Sequence, residues 1–391
     1  MRSGLGILAL ILAVALIGPA LTLATRGALP AVVGTLLGGL IFGRTGLRII
    51  HPDRPDLSLL YDLGFATLMF TVGMNVPVRD PRVRSSLRRG AAAFLVAVPL
   101  ALGSAYLAHL AGGGPIGVYA VVTVSSSAAI ALPVIDETRL GGAAVLVAIA
   151  WIVIADVIAT IAVPLVIVPA HAGHAAIGAL IVAALVAALF VLVQVLRPLP
   201  QVKRIRKEGK RRRWAIDLRF SMLALVTLSF IAEKVGASIL IAGFGLGLVV
   251  GTTGGPKRLS QEVLGVGQGL LVPLFFVLLG AKLDLRALGS SHRAILLAAV
   301  LAALAAIVHV LASAAIRTRP AIGLLATAQV GVPAAVITLG LSAHSITQAE
   351  ASAIFCAALV SIGTSSLGAA LLRRGQSSEP MLTPTKPAPA R

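Results

Sequence analysis

The sequence predicts an all-α integral membrane protein of about thirteen transmembrane helices, arranged as two inverted six-helix repeats joined by a linker helix. Three observations carry that prediction. Hydrophobic residues make up 58% of the 391-residue chain and mean hydropathy is +1.00, while charged residues are only 12%. That charge content is about half the roughly 25% of ordinary soluble domains, too little to cover a water-facing surface. The apolar residues fall into runs long enough to cross a bilayer, and segments of the first half recur in the second.

A helix needs about 20 apolar residues to span the roughly 30 Å hydrocarbon core. Candidate spans lie near residues 4–24, 28–43, 57–77, 90–111, 115–135, 141–170, 174–196, 217–234, 236–251, 262–281, 292–316, 319–342 and 347–372. The second and ninth are short and Gly-rich. The first, "LGILALILAVALIGPALTLA", exceeds the 7–15 apolar residues of a secretory signal and is read as a retained helix. Residues 1–373 thus form the membrane domain, with one repeat over about 4–170, a linker helix at 174–196 and a second repeat over about 217–372. The Pro- and Ser-rich tail, 374–391, reads as disordered and cytoplasmic.

Basic residues set the orientation. The net charge of +19 resides between apolar runs, so it reports topology and not nucleic-acid binding. "RPLPQVKRIRKEGKRRR" (197–213) and "VRDPRVRSSLRR" (78–89) are the densest clusters, and both follow odd-numbered spans. Placing them in the cytoplasm puts the amino terminus outside and the carboxyl terminus inside. The single cysteine, Cys356, excludes an internal disulfide and a multi-cysteine metal site.

The repeat is visible as pairs. "LPAVVGTLLGGLIFG" (29–43) echoes "ASILIAGFGLGLVVG" (237–251), and "LMFTVGMNVPVRD" (68–80) echoes "LFFVLLGAKLDLR" (274–286). Seven spans separate equivalent members, and an odd number inverts the second copy. Inverted repeats mark secondary transporters, whose sites lie at the midplane on interrupted helices. Span 5, "AVVTVSSSAAIALPVIDE", carries three serines and Pro133; span 12, "AIGLLATAQVGVPAAVITLG", carries Gln329, Gly331 and Pro333. Proline removes a backbone donor, so Pro133 is expected to free the Ala129 carbonyl and Pro333 that of Gln329. Unpaired backbone at this depth is tolerated only inside protein or along a watery cavity. Two such breaks, crossing, would offer a cation carbonyls and hydroxyls; the alternative is that they merely kink packed helices.

Asp156 stands alone in the middle of "IVIADVIATIAVPL" (152–165). A carboxylate there costs roughly 2.5–3.5 kcal/mol of insertion free energy. Thr160 follows one turn on, the same face, and Pro164 lies one turn further. A proton and a cation would compete for this one carboxylate, which is antiporter chemistry; the alternative is a structural cap or pair. His309, past the middle of span 11, is a proton-linked group, a partner for Asp156 or a satisfied polar contact. Glu233, Lys234, Asp136, Glu137, Lys282 and Asp284 fall at span ends and read as boundary residues. His171, His174 and His344 fall in outer loops without metal-ligand spacing. No phosphate loop, nucleophile triad or dinucleotide fingerprint is present, and "GVGQG" (265–269) reads as helix packing. The expectation is a transporter and not an enzyme, without cofactor, whose only metal is the cation it carries.

"LPAVVGTLLGGLIFGRTGL", "FTVGMNVPVRD", "SSSAAIALPVIDE" and "PLFFVLLGAKLDL" together resemble landmarks of the monovalent cation:proton antiporters, in the second bacterial branch of the sodium/proton exchanger superfamily. The resemblance spans about residues 5–373 and implies an NhaA-like fold, two discontinuous crossing helices, a homodimer and a bacterial inner-membrane location. It places the family's ion-binding aspartate on Asp156 and its broken-helix polar pair on Ser126 and Ser127. It implies exchange of Na+ or K+ for H+ by alternating access, and the helical spacing from Asp156 adds Thr160 to the shell. Gln329 and the Ala129 carbonyl would stand beside it. Spans 3–6 and 10–13 are expected to carry the site, and spans 1, 2, 8 and 9 with linker 7 to form the dimerisation scaffold. The sequence departs from the family at Ala155, where a second acidic or amide residue is usual. It lacks a lysine in span 11, and "QVGVP" replaces a charged stretch in span 12. One titrating group predicts electroneutral exchange, unless His309 adds a second. The rival is a carrier of the same fold for an organic solute coupled to Na+ or H+, with Gln329 on the substrate.

Overall fold

In the computed structural model the described residues are 4–25, 31–75, 81–138, 140–167, 172–212, 214–253 and 265–376. Every regular element among them is helical. In chain order these are α1 (Gly4–Ala15), α2 (Ile17–Ala24), α3 (Ala31–Phe42), α4 (Pro55–Asn75), α5 (Pro81–Gly112), α6 (Ile116–Val124), α7 (Ala128–Glu137), α8 (Ala143–Ile167) and α9 (Ala172–Leu196). There follow α10 (Pro200–Arg211), α11 (Ile216–Lys234), α12 (Ile239–Thr253), a π turn (Gly267–Leu271) running into α13 (Val272–Lys282), and the short α14 (Leu285–Gly289). Last come α15 (His292–Ala315), α16 (Pro320–Ala326), α17 (Gly331–Ser342) and α18 (Gln348–Gln376). The tail expected to be disordered lies, from residue 377, outside the described residues, as does His171.

Seven helices among the described residues are long and apolar enough to cross a membrane, and eight if α16 and α17, bent by 42° at their break, form one span. Three more apolar helices are shorter. The Gly-rich second and ninth spans become α3 and α12, of 12 and 15 residues. The first span turns at Leu16 between α1 and α2, and its Ile7, Ile11 and Val14 are buried in the main core.

The helices pack in two groups. In the first, α4 lies along α12 and α13 lies along α3, with α1, α2, α9 and α11 around them. In the second, α5 packs on α8 and α15, and α18 packs on α15 and α16. Spans 3 and 10 were expected beside the site-bearing helices; packing puts them, as α4 and α13, in the other group. The cause is glycine. A Cβ on Gly73 would stand 2.2 Å from the Phe244 carbonyl oxygen, and one on Gly247 2.2 Å from that of Phe70. Between α3 and α13, a Cβ on Gly39 would stand 2.1 Å from the Val277 oxygen, and one on Gly280 2.3 Å from that of Leu36. Bare backbones can therefore touch in both pairs, the close approach that small residues permit between membrane helices.

Between the groups runs a narrow apolar crevice, lined by Leu36, Phe276 and Leu279 on one side and Val330, Pro333 and Ile337 on the other. Two side chains tie across it. The Tyr61 hydroxyl is hydrogen-bonded to the Thr338 hydroxyl, and Ser352 Oγ donates to the Asp284 carbonyl at 3.0 Å. Lys282 was expected as a boundary residue; its ammonium sits 3.7 Å over the Tyr61 ring. Asp284 is a boundary residue as expected, capping α14 by accepting from Arg286 N–H at 3.0 Å.

Candidate cation site

Two interrupted helices meet inside the second group. Span 5 breaks at Ser125–Ser127, between α6 and α7, and span 12 breaks between α16 and α17. Both breaks lie upstream of the prolines expected to cause them. Pro133 is held within α7, and Pro333 sits in the first turn of α17. A proline in a first turn sacrifices no helical hydrogen bond, since those N–H groups have no intrahelical partner. The breaks come instead from extended backbone at Ser125 and from Val330 at φ −144°.

The breaks are tied to each other. Ser127 N–H donates to the Ala328 carbonyl at 2.6 Å, Ser126 Oγ donates to the Ala326 carbonyl at 2.6 Å, and Gln329 Nε2 donates to the Ser125 carbonyl at 3.2 Å. Gln329, expected near the site, is thus a strut between the breaks. Ala129 is the second residue of α7; its side chain lies outside the described residues, as do those of Asp136, Glu137 and His174.

Asp156 is buried, 2% exposed, on α8. Its Oδ2 accepts a hydrogen bond from Ala128 N–H, the first residue of α7, at 3.0 Å. A helix start presents unpaired N–H groups and a partial positive charge, so it stabilises an anion there. Thr160 is buried on the same helix. The two serines divide. Ser126 is committed to the Ala326 carbonyl, while Ser127 Oγ is buried and has no hydrogen-bond partner. Thr123 Oγ1, in the last turn of α6, is likewise buried and unpartnered.

His309 is fully buried on α15. Its Nδ1 faces the Ala305 carbonyl at 2.8 Å, and a carbonyl only accepts, so Nδ1 carries the proton. Nε2 stands 3.4 Å from Ser126 Oγ, and the ring stacks on Trp151 with centroids 5.2 Å apart. Of the open readings, the structure gives His309 to the serine break and not to Asp156.

The second break repeats the first with different chemistry. Gln329 N–H, just before α17, donates to Ser361 Oγ at 3.0 Å. Ser361 stands on α18 as Asp156 stands on α8: each is the fourteenth residue of its helix, counting from Gln348 and from Ala143. One turn on, Ser365 corresponds to Thr160, and its Oγ donates to the Leu325 carbonyl at 2.7 Å. Sequence reasoning missed Ser361 and Ser365. The available signal was their four-residue spacing, the same as from Asp156 to Thr160.

Broken helices beside a buried carboxylate are an architecture found in secondary transporters. The sequence profile of the sodium/hydrogen exchangers, transmembrane, matches residues 12–373, and the chain belongs to that family, the monovalent cation:proton antiporters. It is 28% identical over 265 residues to the Na+/H+ antiporter NhaS5 of Synechocystis, covering 66% of this chain and 37% of that protein. It is 26% identical over 378 residues to the putative Na+/H+ antiporter YjbQ of Bacillus subtilis, covering 90% and 60%. The chain therefore spans less than two thirds of either relative's length. Its fold is similar to the solved structure of the sodium proton antiporter MjNhaP1 of Methanocaldococcus jannaschii at pH 8, with a TM-score of 0.63 at 18% identity over 95% of this chain and 96% of that one.

Proposed function

We propose that this chain exchanges a monovalent cation, Na+ or K+, for H+ across a bacterial inner membrane, one for one, by alternating access. One observation carries the reading. At the second break the N–H of Gln329, two residues before α17 begins, is satisfied by a neutral hydroxyl, Ser361, while at the first break the N–H of Ala128, the first residue of α7, is satisfied by the carboxylate of Asp156. The fold's own second half supplies the comparison: a buried N–H at a break needs an acceptor there and not a charge. A charge kept at this depth against a cost of roughly 2.5–3.5 kcal/mol is therefore assigned to ion binding.

In this scheme Asp156 takes either a proton or a cation. Ser127 Oγ, unpartnered and buried, is the hydroxyl ready to replace part of the cation's hydration shell. Thr160 and carbonyls of the broken segments, Ala129 among them, complete it. Ser126 and Gln329 hold the breaks in register, and His309 packs beside Ser126. The helix group bearing Asp156 moves against the other along the crevice between them, exposing the carboxylate to each side in turn.

The finer architecture belongs to the same proposal: thirteen spans in two inverted repeats, 4–170 and 217–372, with 174–196 as linker, the amino terminus outside and the carboxyl terminus inside. The matching glycine-mediated pairs, α4 with α12 and α13 with α3, support the repeat, since exchanging α3 with α12 and α4 with α13 maps one pair onto the other. The homodimer follows from the family resemblance. Residue 155 is alanine and α15 holds no lysine, which leaves one carboxylate and supports electroneutral exchange. The test is proton efflux from proteoliposomes on addition of Na+, K+ or Li+. Efflux with Na+ or K+ is expected, and no response to any monovalent cation would sink the reading.

A further inference from the structure

The helix α10 differs in chemistry from every other helix described. Residues 197–213 contain nine Lys and Arg against one acid, Glu208. At 3.6 residues per turn, Val202, Ile205 and Gly209 fall on one side, and Lys203, Arg204, Lys207 and Arg211 on the other, with Leu199 just ahead of the helix. The apolar side meets α11. A Cβ on Gly209 would stand 2.5 Å from Ile216 Cδ1, and Arg206 Nε holds Asp217 Oδ1 at 2.9 Å. Arg197 donates to the Thr253 carbonyl, tying the end of α9 to that of α12. The helix thus begins four residues after apolar α9 ends and closes five residues before α11 starts, at the connection between the two apolar helices.

Its exposed groups suit a membrane boundary. Leu199 is 40% exposed, Ile205 53% and Trp214 46%. Glu208 is already spoken for: the guanidinium groups of Arg212 and Arg211 hold its carboxyl below the usual range. Lys203 and Arg204 have no ion-pair partner among the described residues. Orientation of the chain needs only the charge count, in any conformation. The segregation of faces on a formed helix, with tryptophan beside it, is the pattern of a helix lying in the membrane interface. A soluble acidic partner would leave Ile205 and Trp214 facing water.

We infer that α10 is an in-plane anchor that binds anionic phospholipid headgroups, with Lys203, Arg204 and Lys207 on the phosphates and Leu199, Ile205 and Trp214 at the acyl boundary. The inference does not depend on which ion the chain carries. It is tested on the full chain in nanodiscs, using phosphatidylglycerol or phosphatidylcholine with a nitroxide headgroup at equal mole fraction. The readout is the quenching of Trp214, isolated by subtracting the signal of Trp214→Phe. Severalfold stronger quenching by the anionic lipid is expected, falling to parity in K203Q/R204Q/K207Q and persisting in R88Q/R89Q, which alters two exposed arginines on α5. In the unaltered chain, raising salt from about 0.1 M to about 1 M should also reduce the preference, since the screening length falls from about 10 Å to about 3 Å. Parity in the wild type, a preference untouched by the triple variant or by salt, or equal loss in R88Q/R89Q would overturn it. So would a response of Trp214 to soluble polyglutamate but not to anionic lipid.

Discussion

The two broken helices of this protein solve one structural problem twice. Each leaves a buried backbone N–H at its break, that of Ala128 at the first residue of α7 and that of Gln329 two residues before α17, and each N–H finds an acceptor fourteen residues into a neighbouring long helix. On α18 that acceptor is the hydroxyl of Ser361; on α8 it is the carboxylate of Asp156. The hydroxyl shows what holding the fold requires. The carboxylate is what differs, and in the proposed function it is the group that carries a proton or neutralises a cation.

The strongest test of the comparison is to make the two sites alike. Asp156→Asn keeps shape and polarity, retains an acceptor for Ala128 N–H and removes the charge. Exchange should fall to background in proteoliposomes, while the purified variant elutes and unfolds as a folded protein. Wild-type exchange by this variant would remove the distinction between the two breaks.

The next effect separates the two serines. Ser127→Ala should weaken cation half-saturation roughly tenfold, the worth of about 1.4 kcal/mol and near the low end for a hydrogen bond to a charge. Ser126→Ala should leave half-saturation in place and lower stability by about 1 kcal/mol, because its hydroxyl serves the Ala326 carbonyl. The double variant should show both changes. Unaltered half-saturation in Ser127→Ala would exclude that hydroxyl from the shell.

Part of this was legible in the residues and part was not. Asp156 announced itself because a lone carboxylate in an apolar run has no cheap explanation. Three consecutive serines did the same for the first break. Ser361 carried no such signal, since a serine inside a membrane helix can satisfy itself on its own backbone and costs little; only its register against Asp156 gives it meaning. The prolines misled by a few residues, because proline is equally at home in a first helical turn and beside a break. Glycines announced close packing in α3 and α12 but not their partners, so α4 and α13 were grouped with the wrong helices. The side of His309 that faces Ser126 depends on helix rotation, which no short motif encodes.

Smaller effects sharpen the same contrast. Ser361→Ala leaves a buried N–H unpaired and should cost about 1–3 kcal/mol in thermal unfolding, with exchange retained. Loss of exchange without loss of stability would give Ser361 a role in transport. The smallest expected effect is that of voltage. One proton against one monovalent cation moves no net charge, so clamping the potential should leave the rate unchanged. An uncompensated charge would feel about 2.3 kcal/mol per 100 mV. Rates that follow the imposed potential, and cease to do so in His309→Ala, would make His309 a second titrating group.

The central claim is competition of proton and cation for one carboxylate, and it is tested by cation half-saturation as a function of pH. In proteoliposomes, proton movement is titrated with Na+ and with K+ at a series of pH values on the side of cation addition. Competition for Asp156 predicts that on the acid side half-saturation rises about tenfold for each pH unit lowered, the linkage of one proton to one cation, with the maximal rate unchanged. A half-saturation that stays constant while the maximal rate falls with pH would place the proton elsewhere and contradict the account.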